Sequence, residues 1–227
     1  MSRPAGQAVG ASCRDAPGAA LGAALAHPTV AAIAAALAGR TGALAVVGAA
    51  DPPPRRAAVA LVLRVPLGAA GPELLLVKRA EYPGDPWSGH VAFPGGRAEP
   101  GDASPWHTAA RETCEETGLD LLAAGRLLGT LDELYPRTPV LPPVVVRPHV
   151  AVVGGSGGPL VLSGELAAAF WVPLAHFAAP GVSAERAVVA RGATLTVPSF
   201  AVEAHTVWGM TERILRQFLT LAAGAAG

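Results

Sequence analysis

Two apolar runs, AAVALVLRV at 57–65 and ELLLVKR at 73–79, hold almost no polar position inside and are joined by a Pro- and Gly-rich turn, which predicts two buried strands. LLGTLDEL, VVVRPHVAVV and PLVL read as further strands, with GGSGG between the last two as a hairpin turn. ELAAAFWVPLAHF fits either a helix or an edge strand leading into a loop. Three other segments follow the helical period. HPTVAAIAAALAGR sets Val30, Ile33, Ala34 and Leu37 on one face between Pro28 and Gly39. Residues 104–118 have Ser104 as N-cap, Pro105 at the first helical position and Gly118 as a left-handed stop. Their inward stripe is Trp106, Ala109, Ala110, Thr113 and Thr117, with Cys114 at its edge as a buried thiol. VWGMTERILRQFLTLAAG offers Thr211 as a cap and Ile214, Leu215, Phe218 and Leu221 as the buried face. Strands interspersed with helices make a mixed α/β fold.

Up to about residue 26 the chain has no period, which predicts disorder. DPPPRR at 51–56 can continue neither a helix nor a central strand. The expected division is therefore an Ala/Gly-rich extension over 1–50, partly disordered with one helix near 28–39, and a main domain over 51–227. Seventeen basic against seventeen acidic residues leave no net field to draw in nucleic acid or an anionic membrane, so neither is expected as a partner. Any phosphate-bearing ligand has to be recognised locally, which points to a small molecule. A homodimer is left open. Residues 16–39 hold no Asp, Glu, Lys or Arg, but their Ala and Gly content, with His27 and Pro28 in the middle, argues against a membrane-spanning helix. Cys13 and Cys114 show neither metal spacing nor a disulfide framework, which fits a reducing compartment, and the cytoplasm is the expected location.

RETCEETG at 111–118 places Glu112, Glu115 and Glu116 at offsets of three and four, where side chains meet on one helix face and like charges repel. Only 15% of the chain is charged, so this crowding needs a cause, and a bound cation is the obvious one. The Gly-rich loop FPGGRAEPGD at 93–102 runs into this helix. Together they make a plausible seat for a hard divalent ion, which takes oxygen ligands and, in the case of Mg²⁺, shares one or two carboxylates with waters and substrate phosphates. A metal beside phosphate implies hydrolysis or transfer at phosphorus.

The stretch Gly96 to Leu119 resembles the signature of the Nudix hydrolases, G-x5-E-x7-R-E-U-x-E-E-x-G-U with U apolar: Gly96, Arg111, Glu112, Glu115, Glu116, Gly118 and Leu119 stand on its fixed positions. Asp102 replaces the isolated Glu, with eight residues between it and Arg111 instead of seven, and Thr113 takes an apolar position. The resemblance implies a Nudix-type α/β/α sandwich with a mixed sheet, and Mg²⁺ or Mn²⁺ as cofactor. It gives Glu112, Glu115 and Glu116, with the Gly96 carbonyl, as metal ligands; Glu112, Glu115, Glu116 and Arg111 as the catalytic set, Arg111 ion-pairing within the cluster; and Arg79, Gly95 and Gly96 as substrate contacts.

The Asp variant, with LLLVKRA, GHVAFPGG and VWGMTERIL, resembles the coenzyme A diphosphatase branch over roughly residues 57–220. That branch implies cleavage of coenzyme A or acyl-CoA to adenosine 3′,5′-bisphosphate and 4′-phosphopantetheine. Its substrate motif is incomplete: Arg79, Ala80, Gly89 and FPGG are present, but a second Arg is replaced in the region of Gly84 and Asp85, and the loop is one residue longer. ADP-ribose or another nucleotide sugar is the rival substrate, and a nucleotide-sensing module without catalysis is the rival of another class. Glu165 and His90 are secondary candidates, for metal or water contact and for substrate orientation. Trp87, Trp171 and Trp208 divide between core packing and stacking on a base.

Overall fold

The computed structural model describes residues 17–46, 53–84, 87–136, 143–190 and 192–225. In chain order these form α1 (Pro17–Ala26), α2 (Pro28–Leu37), β1 (Arg55–Arg64), β2 (Glu73–Arg79), β3 (Val91–Ala92), β4 (Gly95–Arg97), α3 (Pro105–Thr117), α4 (Leu121–Ala124), β5 (Gly125–Thr130), β6 (Val144–Val153), β7 (Leu166–Pro173), β8 (Ser183–Ala190), β9 (Ala193–Val202), β10 (His205–Trp208) and α5 (Gly209–Ala225), with a 3₁₀ turn at Leu174–Ala178.

A seven-stranded sheet runs in the order β3-β2-β1-β6-β5, with β4 also paired to β1 and β7 to β2. Only β1 and β6 are parallel among these pairs, so the sheet is mixed. Side chains alternate between its faces. Ala58, Ala60, Val62 and Leu75 pack on one face with Ala109 and Ala110 of α3. Leu61, Leu63, Leu74 and Leu76 pack on the other with Val30, Ile33 and Leu37 of α2 and Ile214, Leu215 and Phe218 of α5. The result is an α/β/α sandwich. Each fully buried Leu or Ile contributes about 1.5–3 kcal/mol, which is how the short α2 is held against the sheet.

The structure corrects several expectations. Residues 17–26 are the helix α1, with Ala24 buried, and not an aperiodic tail; their Ala and Gly give no stripe to read. Residues 1–16 lie outside the described residues. PLVL is not a strand; it bonds instead to the end of α3. ELAAAFWVP is β7, paired with β2. The three-stranded sheet β10-β9-β8 has no counterpart in the sequence reading. Thr211 lies inside α5, which starts at Gly209. Cys114 is exposed, not buried. Among the described residues no single helix is long and apolar enough to cross a membrane; α1 and α2 qualify as a pair by length and composition but are bent by 79°.

Residues 40–46 lie along the segment after β5. The Glu133 N–H donates to the Ala43 carbonyl (2.8 Å), and the Ala43 and Ala45 N–H groups donate to the carboxylates of Asp132 (2.8 Å) and Glu133 (3.1 Å). Glu133 also takes Arg147 (2.8 Å) and Arg56 (2.9 Å).

His149 on β6 is buried under α3, its ring edge-on to Trp106 at 5.8 Å and its Nδ1 3.2 Å from the Thr130 hydroxyl. Burial, then the charge of Arg147, pushes its pKa down to about 4. The unfolded chain titrates His near 6.5, so it takes up a proton first and stability falls as pH drops from about 6.5 to about 4, by about 3 kcal/mol. His149→Leu is expected to flatten this acid slope, read as urea midpoints at pH 7 and pH 5; an unchanged slope counts against His149 as its source.

Candidate active site

Helix α3 begins where Ser104 Oγ accepts the His107 N–H (3.3 Å), a cap worth about 1 kcal/mol, and ends at Gly118, whose φ of 72° lets its N–H reach the Cys114 carbonyl at 2.8 Å. Its inward residues Ala109, Ala110, Thr113 and Thr117 are buried, and small enough to let the helix axis lie close to the sheet. This brings the next face of α3 alongside β4.

At β4 two glycines are pressed between β1 and the helix, with no room for a Cβ. Gly95 has φ 144°, and a Cβ there would meet the Ala58 carbonyl and lie 2.6 Å from Val59 Cα. A Cβ on Gly96 would overlap the Glu112 carboxyl group. The Gly95 N–H donates to Glu116 Oε2 at 3.0 Å. Glu112 and Glu116 are thereby held over one glycine turn.

Arg111 is the hub on the other side. Its Nε and Nη2 hold the two Asp102 oxygens (3.0 and 3.2 Å), Nη2 also reaches Glu112 Oε1 (3.1 Å) and the Arg97 carbonyl (3.0 Å), and Nη1 takes Glu115 Oε2 (3.2 Å). Asp102 accepts the Glu99 N–H (2.9 Å) and the Thr108 hydroxyl (2.8 Å) as well. The Arg111 hydrogen bonds hold the Asp102 carboxyl far below the usual range, and Asp102 in turn holds the Arg111 guanidinium above its ordinary value. The spacing of Asp102 nine residues before Arg111 suits this fork.

The glutamates differ in setting. Glu116 is only 5% exposed, although the sequence reading displays it beside Glu115. Its own carbonyl accepts the Ser163 N–H (2.9 Å), and the Thr117 carbonyl accepts the Val161 N–H (2.9 Å), so the PLVL segment closes over this end of α3. Burial, then the charges of Glu112 and Glu165, raise Glu116 to about 7 against the Gly95 hydrogen bond and Arg79. Glu112 is raised too, by burial first, against the pull of Arg111. Glu115 is 60% exposed at its side chain and turned to Arg111.

Arg79 ends β2 half-buried, and its charge acts on Glu116. Glu165 is exposed; its carbonyl accepts the Ala80 N–H (2.8 Å), and its charge reaches both Glu112 and Glu116. His90 sits one step away: its carbonyl accepts the Arg79 N–H at 3.0 Å, and its ring meets that of Trp208. Of the two residues in the region where the substrate motif expects an Arg, Gly84 is exposed and Asp85 lies outside the described residues. His107 makes a local contact with Ser104 Oγ (2.8 Å).

The donor set fits a hard dication. The charge of Glu165 acts on both Glu112 and Glu116, Arg111 offsets it at Glu112 and Arg79 at Glu116, and every candidate ligand is an oxygen. Among the described residues no three His, Cys, Asp or Glu side chains converge as a ready cluster, in keeping with Glu115 being engaged by Arg111.

A family model described as NUDIX domain matches residues 54–192. The chain belongs to the Nudix family. Within that match lie β4, α3 and every carboxylate named above. A mitochondrial coenzyme A diphosphatase of Mus musculus is 32% identical over 176 residues, 74% of this chain and 80% of that protein. An uncharacterized protein of Schizosaccharomyces pombe is 32% identical over 146 residues, 56% of this chain. The chain spans 44% of the length of that yeast relative. A MutT/nudix family protein from Enterococcus faecalis shares the fold, with a TM-score of 0.53 at 18% identity over 79% of this chain and 65% of that one. The Nudix match stops short of α1, α2, β9, β10 and α5, so these elements pack around the matched region from outside it.

Proposed function

We propose that this Nudix protein hydrolyses the diphosphate bond of a nucleoside diphosphate derivative, with Mg²⁺ or Mn²⁺ as cofactor and coenzyme A or acyl-CoA as the favoured substrate. The observation that carries the reading is the placing of Glu112 and Glu116 over the Gly95–Gly96 turn, with Arg111 tying Glu112 and Glu115 to Asp102. Glu112, Glu115, Glu116 and the Gly96 carbonyl would hold the dication, which when bound withdraws charge from the phosphoryl oxygens and acidifies water. The chain's own groups do the rest. Arg111 fixes the carboxylates, Arg79 faces the phosphate with a guanidinium fork, and a glutamate of α3 takes the proton of the attacking water. Water oxygen bonds to phosphorus, the bridging P–O bond breaks, and the leaving phosphate carries away the electron pair.

The similarity to a coenzyme A diphosphatase supports the favoured substrate, as do Arg79, Ala80 and Gly89. The absence of the second Arg in the region of Gly84 and Asp85 favours the other reading, ADP-ribose or a related nucleotide sugar. Purified protein with coenzyme A and with ADP-ribose, each with Mg²⁺, Mn²⁺ or EDTA and with products identified, tests both. The expected result is metal-dependent release of adenosine 3′,5′-bisphosphate and 4′-phosphopantetheine. Turnover of ADP-ribose alone removes coenzyme A, and no hydrolysis of either with metal present favours a nucleotide-sensing module.

A further inference from the structure

The strand register pairs Val77 with Ala92 and Lys78 with Val91, and the Arg79 N–H donates to the His90 carbonyl at 3.0 Å. Arg79 and His90 are thus cross-strand neighbours. Leu75 packs on the α3 face, and pleat alternation carries Arg79, four residues on, to the same face with His90 beside it. The His90 ring lies against Trp208, with ring centroids 4.7 Å apart and planes tilted by 56°. Trp208 follows the fully buried Val207, so it points away from the α5 side of the core, and it is only half-buried. Directly after it, Gly209 has φ 69° and open space where a Cβ would stand. A line of groups therefore leads away from Glu116: a guanidinium, an imidazole, then an indole.

We infer that the His90–Trp208 pair is the subsite for the nucleobase, taking the planar ring of an adenine nucleotide on its face while Arg79 holds the adjoining phosphate. This rests on the diphosphatase reading and deepens it by naming which half of the substrate lies on this side. A purine presents a flat π surface that stacks on an aromatic side chain, whereas a flexible pantetheine arm or a bare sugar does not. The Ala80 N–H donates to the Glu165 carbonyl (2.8 Å) and the Ser163 N–H to the Glu116 carbonyl (2.9 Å), so the 163–165 segment joins the end of β2 to α3, and a phosphate held by Arg79 lies between the base and the carboxylates.

The test is calorimetric binding of AMP and of ribose 5-phosphate, in the presence of Mg²⁺, to the full chain and to Trp208→Leu and Trp208→Phe, with melting temperatures alongside. In the unaltered protein AMP is expected to bind about tenfold more tightly than ribose 5-phosphate. Trp208→Leu is expected to erase that difference by weakening AMP alone, and Trp208→Phe to keep most of it. Equal affinities of the unaltered protein for the two probes overturn the proposal. So does an unchanged preference in Trp208→Leu, or a parallel loss for both probes with a lowered melting temperature, which makes Trp208 a packing residue. The substrate panel reads separately: hydrolysis without an AMP preference sinks only this subsite, and an AMP preference without hydrolysis sinks only the enzyme.

Discussion

Glu116→Gln is expected to cut metal-dependent diphosphate hydrolysis by about 10³-fold while making the metal-free protein more stable at pH 8. Both effects come from one carboxyl group. Glu116 is buried against Gly95 and shares its surroundings with Glu112 and Glu165, and its pKa rises to about 7. The unfolded chain releases this proton near 4.5, so the folded state binds it more tightly. The contribution is fully present below pH 4.5 and is lost as pH rises through about 7, a swing of about 3 kcal/mol by pH 8. The glutamine variant carries no such charge and keeps the Gly95 hydrogen bond through its amide oxygen. Melting curves at pH 8 with EDTA should place Glu116→Gln above the unaltered protein, and adding Mg²⁺ should raise only the latter. Equal responses of the two proteins to Mg²⁺, or full turnover by the variant, would remove Glu116 from the metal set. Between pH 4.5 and 6.5 the Glu116 slope opposes that of His149, so the stability profile of the metal-free protein should be shallow there.

The adjacent glycines should fail in different ways. At Gly95 an alanine meets backbone, the Ala58 carbonyl and Val59 Cα, at a φ of 144° that L residues rarely adopt. Gly95→Ala should therefore lose about 3 kcal/mol or more of stability. At Gly96 the nearest atoms an alanine meets are those at the end of the Glu112 side chain, which can swing aside. Gly96→Ala should keep its melting temperature within about 2 °C and lose about 10²-fold in turnover, because a misplaced reacting group is costly. Urea midpoints and kcat measured on both variants decide the matter. A Gly96→Ala enzyme with normal kcat would show that the position of Glu112 over this turn is not needed.

How much of this was legible in the sequence depends on where each signal is stored. Helix α3 is written locally: Ser104, Pro105 and Gly118 mark its ends, and its small residues mark the buried side. Strands β2 and β6 are runs of apolar residues bounded by Gly and Pro, and they lie where such runs predict. Glu112, Glu115 and Glu116 share a helix face by spacing alone, and the structure brings Gly95 and Gly96 against that face. Spacing cannot say what lies across the gap. That Glu116 is buried and Glu115 exposed depends on β4 and the 161–165 segment, both distant in sequence. The fork of Asp102 on Arg111 joins residues on a loop and a helix, a pairing no period reveals. Helix α1 hides because Ala and Gly give no contrast between its sides. The β8–β9 hairpin did carry a signal, Gly192 with φ 77° ahead of the alternating ATLTV.

The ribbon of residues 40–46 has a consequence for solubility. It lies beside the segment that continues past β5, an outermost strand of the large sheet, and there the Ala43 carbonyl takes the Glu133 N–H, a backbone donor that would otherwise be open to another chain. A bare strand margin of this kind is an invitation to stick, edge to edge, to a neighbouring molecule. By tying residues 40–46 to Asp132 and Glu133, the protein closes this corner of its rim with its own chain.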